Sequence, residues 1–180
     1  AQLICISLSV QPGEAAYIPL GHQGLDAVQQ LPLADVLAQL QPWLEDASKP
    51  KLGQHVKYDQ HVLANHGITV RGYQHDTMLQ SYVLEVHRPH GLESLALRHT
   101  GRTGLSYEDL CGKGKNQITF AQVPLDKACA YACEDADQTL DVHRVLWPQI
   151  QAQPGLLHIY ELEMATSEAL LRMERNGVAI

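Results

Sequence analysis

Aromatic side chains are scarce in this sequence: they make up 6% of its 180 residues and include a single Phe. The core should therefore be built mainly from Leu, Val, Ile and Ala. No apolar run approaches the roughly 18 residues needed to cross a bilayer. No basic segment followed by an apolar one resembles a signal peptide. These absences predict one domain with a single core and no membrane contact.

Basic charge is also in short supply. The chain has 13 Lys and Arg against 20 Asp and Glu, which gives a formal net charge of −7. A protein that grips duplex DNA regardless of sequence needs a basic face, so the charge argues against that kind of binding. It leaves open an active site that takes a few nucleotides of single strand through divalent cations.

Cysteine and histidine form no recognisable metal or catalytic motif. The four cysteines show no CxxC spacing, and a chain of this length does not need disulfides for stability. Cys129 and Cys133 lie one helical turn apart and could hold a soft metal, but reduced core residues are the favoured interpretation. The ten histidines include no HExxH, and the chain has no GxSxG. Zinc hydrolases and serine hydrolases are therefore disfavoured.

Hydrophobic periodicity and turn residues predict an α/β domain with a mixed sheet. Strands are predicted at residues 3–10, 15–20, 51–56 and 68–73. Helices are predicted at residues 32–45, 57–65, 76–86, 92–99, 124–146 and 156–175. Asp76 or Thr77 is expected to cap the third helix, and Pro124 to open the fifth. Four strands are few for a domain of this size.

Two acidic positions could bind a hard cation. Tyr131 and Asp135 are four residues apart, so they project from one face of a predicted helix. A carboxylate there would ligate Mg²⁺ or Mn²⁺, and the phenol would orient an attacking water. Asp59 lies in a first helical turn, just after a strand-to-helix junction at Gln54 and His55. Spacing alone leaves the alternative open that these are ordinary surface charges and helix-dipole partners.

Several segments, in order, resemble the 3′→5′ proofreading exonuclease domain of the bacterial family A DNA polymerases. The sequence GQHVKYD at 53–59 is similar to the family's second exonuclease motif, and YACEDAD at 131–137 to its third, Tyr-x-x-x-Asp. Further similar segments are AYIP at 16–19, HDTML at 75–79, LESLA at 92–96, GKGKNQ at 112–117 and MERNGV at 173–178, where the polymerase domain would begin.

The resemblance implies an RNase H-like exonuclease fold, a mixed sheet with surrounding helices, and hydrolysis with two divalent ions. Those ions would be Mg²⁺ or Mn²⁺, with Zn²⁺ as an option at one site. Asp135 and Asp59 would be metal ligands, and Tyr131 would orient the attacking water. The implied substrate contacts are Gln54, His55, Tyr58 and Tyr107, with Tyr107 stacking on a base. The implied partners are a single-stranded DNA 3′ end and the polymerase domain of a longer bacterial, cytoplasmic, nucleoid-associated protein.

The sequence departs from this family in two places. His55 stands where the family usually has Asn, so the substrate contact there is in question. The first motif, an Asp-x-Glu on the first strand, does not occur in the 180 residues and is expected before Ala1. We expect residues 1–150 to form the exonuclease domain and 151–180 to lead into the polymerase domain. The 180 residues by themselves are expected to be weakly active or inactive.

The sequence leaves two alternative functions open. One is an exonuclease-like domain without activity that serves as a scaffold beside the polymerase, although the presence of Asp59, Tyr131 and Asp135 argues against it. The other is an exoribonuclease similar to RNase D, which the segment at 173–178 disfavours.

Overall fold

The computed structural model describes residues 2–24 and 29–177; Val178, the last residue of the expected junction with the polymerase domain, lies outside them. Its strands are β1 (Cys5–Gln11), β2 (Glu14–Pro19), β3 (Lys51–Gly53) and β4 (Tyr73–Asp76). Its α-helices are α1 (Leu33–Leu44), α2 (Val56–Ala64), α3 (Thr77–Leu84), α4 (Leu92–Thr100), α5 (Tyr107–Cys111), α6 (Leu125–Gln151) and α7 (Pro154–Asn176). Two single 3₁₀ turns, Gly114–Asn116 and Phe120–Gln122, precede α6.

The strands in the described residues form two separate pairs. β1 and β2 are antiparallel, joined by a turn in which Gly13 adopts φ +81°, a conformation that glycine enters without strain. β3 and β4 are parallel. Helix α6 packs against β1, β2 and β3, so it connects the two pairs. The α/β class is confirmed, and both strand directions are present.

The prediction of a strand at 68–73 is wrong in its position. Ile68 and Val70 are buried, at 2% and 3% exposure, but the strand begins only at Tyr73. The backbone before it bonds to helix ends instead: the Ile68 N–H donates to the Leu63 carbonyl, and the Arg71 N–H to that of Leu44. The alternation of Ile68 and Val70 therefore marks a buried segment whose N–H groups at Ile68 and Arg71 bond to helix ends rather than to a strand.

The observed ends of other strands and helices differ from the predicted ends by a few residues. Strand β3 stops at Gly53 rather than 56, because the chain turns there into α2. Helix α6 runs on to Gln151 although Pro148 lies in its last turn, where a missing N–H costs one hydrogen bond. The predicted linker at 151–155 is accordingly only two residues long.

The core is aliphatic, as the composition predicts. One cluster joins α1, α2 and the segment before β4, and another joins α4 to α6. Helix α7 is attached through Tyr160, which is 2% exposed and packs its ring beside His75 and Trp147. In residues 2–24 and 29–177, no helix combines the length and apolar character needed to cross a bilayer.

Candidate active site

A buried carboxylate, Asp76, organises the junction that carries the second predicted motif. It is 1% exposed and accepts hydrogen bonds from the N–H groups of His55 and Val56, at 3.0 and 2.9 Å, at the start of α2. It also accepts the Met78 N–H at 2.9 Å, which confirms the expected cap of α3. Its support of α2 was missed, because no sequence spacing reveals a bond between residues some 20 positions apart.

His55 lies in the left-handed region, with φ 58° and ψ 54°. It is the one non-glycine residue with positive φ in the described part of the chain. Asn, Asp and His adopt this conformation more readily than other side chains do, so the replacement of Asn by His keeps a permitted residue there. The His55 ring lies 6.2 Å from that of Tyr58, which is 56% exposed.

Both polar ends of the Gln54 side chain are already hydrogen bonded within the protein. Its Nε2 donates to the His90 carbonyl at 2.8 Å, and its Oε1 accepts the Thr77 hydroxyl at 2.5 Å. These bonds hold the loop before α4 against the start of α3. A nucleotide contact by Gln54, which stays a prediction, would have to replace one of them.

Asp59 projects from the first turn of α2 toward Gly53, Tyr73 and Asp76. Its surroundings raise its pKa to about 6, first by withdrawing the carboxyl group from water and then by the charge of Asp76. Asp59 in turn raises the pKa of Cys5 and of Tyr73, after the effect of burial at each. The residue as a whole is nevertheless exposed, so solvent weakens the effect of this shift on stability.

The third predicted motif lies on the face of α6 that looks toward α5. Burial raises the pKa of Asp135 to about 6, against the opposing effect of a hydrogen bond from the Tyr131 phenol. Burial and the Asp135 charge raise the pKa of Tyr131, so that phenol keeps its proton at neutral pH. The pair is thus a proton donor beside a carboxylate with a pKa of about 6.

Tyr58, Tyr107 and Tyr131 bring their phenol groups toward one another from α2, α5 and α6. The pKa of Tyr107 is raised first by a hydrogen bond with Cys111, with a smaller effect of Tyr58, and Tyr107 itself raises the pKa of Tyr131. The Tyr107 ring stacks on Phe120 with centroids 6.4 Å apart, and Phe120 lies 6.0 Å from Tyr131. Five of the predicted site residues, Tyr58, Tyr107, Tyr131, Asp135 and His55, therefore border one region.

Carboxylate oxygen is the right donor for a hard divalent cation, and no Lys or Arg neutralises Asp59 or Asp135 among the ion pairs of residues 2–24 and 29–177. The number of donors is too small. The same residues contain no group of three or more His, Cys, Asp or Glu side chains able to hold a metal. The described residues thus fit a divalent ion in chemistry but not in ligand count.

The basic loop GKGKN at 112–116 lies near this region and is exposed. Lys113 already pairs with Glu108 of α5. Lys115 belongs to the exposed 3₁₀ turn Gly114–Asn116. The loop therefore offers little net positive charge to a phosphate backbone.

A family model described as 3′–5′ exonuclease matches residues 1–151. The chain belongs to the family of 3′–5′ exonuclease domains of DNA polymerase I. It is 45% identical to DNA polymerase I of Pseudomonas aeruginosa, with all of the chain and 20% of that protein covered. It is 41% identical to DNA polymerase I of Rhizobium leguminosarum, with 92% of the chain and 17% of that protein covered. The chain thus spans about a fifth of the length of these relatives.

Solved structures show the same fold. The chain of the "POL domain of Pol1 from M. smegmatis complex with DNA primer-template and dNTP" has a TM-score of 0.68 at 24% identity, covering 93% of this chain and 24% of that one. Brucella melitensis NrnC has a TM-score of 0.64 at 18% identity, covering 98% of this chain and 80% of that one. These likenesses confirm the RNase H-like exonuclease fold.

Proposed function

We propose that this domain removes nucleotides from the 3′ end of single-stranded or frayed DNA, releasing nucleoside monophosphates, and so proofreads for the polymerase of its parent chain. The observation that carries the proposal is the pairing of Tyr131 with Asp135 on α6, in a region bordered by the aromatic rings of Tyr58 and Tyr107. Membership of the exonuclease family supports it.

In this proposal the aromatic rings hold the strand. Tyr58 and Tyr107 are 56% and 44% exposed, although their rings are apolar and lie on helices fixed to the core. Exposed aromatic rings can stack on successive bases whatever the sequence. This mode of binding needs no basic face, which agrees with a chain whose net charge is −7. His55, beside Tyr58, contributes to the same contact.

Tyr131 and Asp135 act on the water that attacks the terminal phosphodiester. The Tyr131 phenol retains its proton and can hold the water by a hydrogen bond, with Asp135 as its neighbour. Divalent cations, Mg²⁺ or Mn²⁺ with Zn²⁺ at one site as an option, would activate the water and neutralise the phosphate. Asp59 and Asp135 would be two of their ligands, and the others would come from an Asp-x-Glu strand outside the described residues.

Degradation of 5′-labelled single-stranded DNA in Mg²⁺ tests these assignments. We expect a longer protein that contains this domain and an Asp-x-Glu strand to shorten the DNA from its 3′ end, and Asp135→Ala to abolish that activity. The 180 residues by themselves should be weakly active or inactive. Equal activity of both proteins would contradict the need for further ligands, and full activity of Asp135→Ala would contradict the site.

Two alternatives are separated by the same assay. A domain that serves only as a scaffold would leave the DNA intact even in the longer protein. An exoribonuclease similar to RNase D would prefer a ribose at the 3′ end; the relatives named DNA polymerase I do not favour it.

The surface proposed to meet the polymerase domain is an apolar stripe on α7. Ile159, Leu162, Leu170 and Met173 share one helical face and are 39–64% exposed. We propose that residues 1–150 form the exonuclease domain and that the stripe, on residues 151–180, packs against the polymerase domain in a cytoplasmic, nucleoid-associated protein. Leu162→Lys in the longer protein should then separate the unfolding of the two domains, and a single unchanged transition would argue against this packing.

A further inference from the structure

Helix α6 carries a second set of acidic residues beside the site pair. Glu134, Asp137 and Asp141 are spaced by three and four, so they form one row on the helix, which we name the anchor row. Glu134 and Asp135 are consecutive and therefore point about 100° apart around the helix. All three residues of the anchor row contact the loop that follows α4 or the hairpin turn.

The anchor row holds the loop at 101–106 by both its backbone and its side chains. The Glu134 Oε2 accepts the Leu105 N–H at 3.1 Å. Three and seven residues further along the helix, Asp137 and Asp141 bind the same Nη1 atom of Arg102, at 2.8 and 2.6 Å. The loop is thus fixed to α6 at both of its ends.

Gly104 permits the loop to lie directly on the Glu134 carboxylate. A Cβ atom at this glycine would lie 2.5 Å from the Glu134 Oε2 and 2.6 Å from its Cδ. No side chain fits at that distance unless the carboxylate moves. The contact therefore depends on both residues, an acceptor on α6 and a glycine in the loop.

A short rigid connection leads from Leu105 to Tyr107. Ser106 caps α5, since its Oγ accepts the Asp109 N–H at 3.1 Å and the Asp109 Oδ2 accepts the Ser106 N–H at 3.0 Å. Tyr107 is the first residue of that helix. Its ring is held in turn by the stack on Phe120. The direction of Tyr107 is therefore set at the point where Glu134 binds the chain.

We propose that Glu134 is a positioning residue that holds Tyr107 at the edge of the active site for stacking on a DNA base. This inference rests on the proposed function. Glu134 acts through the Leu105 N–H and the cap of α5, not by contact with DNA or metal. Truncation of Glu134 should therefore weaken the binding of single strands only while Tyr107 is present.

Binding of a fluorescent oligothymidylate of about eight nucleotides, followed by anisotropy in Ca²⁺, provides the test. We expect Tyr107→Ala to weaken binding about tenfold and Glu134→Ala about threefold or more, whereas Glu134→Gln, which keeps the acceptor oxygen, changes it less than about twofold. In the Tyr107→Ala background, Glu134→Ala should have no further effect beyond about twofold. Glu163→Ala, on the exposed face of α7, is the matched control.

Two further measurements cover the other outcomes. Hydrogen exchange at the Leu105 N–H should accelerate in Glu134→Ala and not in Glu134→Gln or Glu163→Ala. Gly104→Ala displaces the Glu134 carboxylate without removing it, so it should weaken binding as Glu134→Ala does. It replaces Glu134→Ala in the test if the Glu134→Ala protein does not fold. Additive losses in the double variant, or unchanged exchange at Leu105, would overturn the inference. Wild-type binding by Tyr107→Ala would instead overturn the proposed role of Tyr107, while the exchange measurement still decides what Glu134 does.

Discussion

Asp135 and Asp137 stand two residues apart on α6, yet they occupy opposite kinds of surroundings. Asp137 is 7% exposed and fully engaged: it accepts the Gly13 N–H at 2.7 Å and pairs with Arg102 at 2.8 Å. Asp135 is half-buried beside a phenol, and its pKa is raised to about 6 by burial. One carboxylate stabilises the fold by its partners, and the other costs stability because burial withdraws its charge from water. The difference in surroundings thus separates an acidic residue that anchors the fold, Asp137, from one that belongs to the candidate active site, Asp135.

The largest expected effect is the loss of the anchor. Asp137→Ala leaves the Gly13 N–H without its acceptor and removes one of the two carboxylates at Arg102, so we expect the free energy of unfolding at pH 7 to fall by about 3 kcal/mol. Urea denaturation measures it. Asp135→Ala is the matched control and should not destabilise the protein. Similar losses in both variants would erase the distinction between the two carboxylates.

The next effect concerns Asp135 and depends on pH. Its pKa in the folded state, about 6, lies above the ordinary 3.8, so the folded protein binds the proton more tightly and loses stability as pH rises between these values. Asp135→Asn removes that loss. We expect the variant to be more stable than the wild type by about 2 kcal/mol at pH 8, allowing for partial exposure, and equally stable at pH 3. Urea denaturation across this range checks it, and a gain that is the same at both pH values would contradict the assignment.

A smaller effect on stability is expected at His55, which borders the candidate active site and does not anchor another segment. Its left-handed backbone excludes β-branched side chains, so His55→Val should cost about 1 kcal/mol of unfolding free energy. His55→Asn, which suits that conformation, should cost nothing measurable. Thermal denaturation of the two variants side by side is sufficient. Equal melting temperatures for Val and Asn would mean that the conformation changes freely.

The smallest effect should come from an anchor at the surface. Glu174 joins α7 to α2 through Lys57 at 2.5 Å and His61 at 2.6 Å, but its side chain is 42% exposed. Exposed ion pairs contribute little, so Glu174→Gln should leave the midpoint of urea unfolding close to that of the wild type. The same urea experiment as for Asp137 places the two anchors on one scale. A loss close to that of Asp137→Ala would show that burial is not what separates them.

Much of the fold was predictable because its signals are local. The strands at 3–10 and 15–20 and the helix at 32–45 were predicted and are confirmed within a few residues. A cap of α3 by Asp76 or Thr77 was also predicted, and the structure has Asp76 in that place. The strand expected at 68–73 was not predictable in position, since Ile68 and Val70 are apolar in the way that strand residues are. The backbone of this segment bonds instead to two carbonyls at helix ends, Leu44 of α1 and Leu63 of α2. Only the tertiary structure brings the Leu44 carbonyl to Arg71.

By itself the sequence determined the family, the aliphatic core and the face of α6 that carries Tyr131 and Asp135, because helical spacing and motif order are local properties. The tertiary structure decided which acidic residues are anchors. Asp76 and Asp137 are buried because chain segments some 20 and some 120 residues away bring N–H groups to them. Within residues 2–24 and 29–177, no backbone N–H donates to the carboxylate of Asp135, although it lies two residues from Asp137. The raised pKa of Asp135 follows from burial beside the Tyr131 phenol.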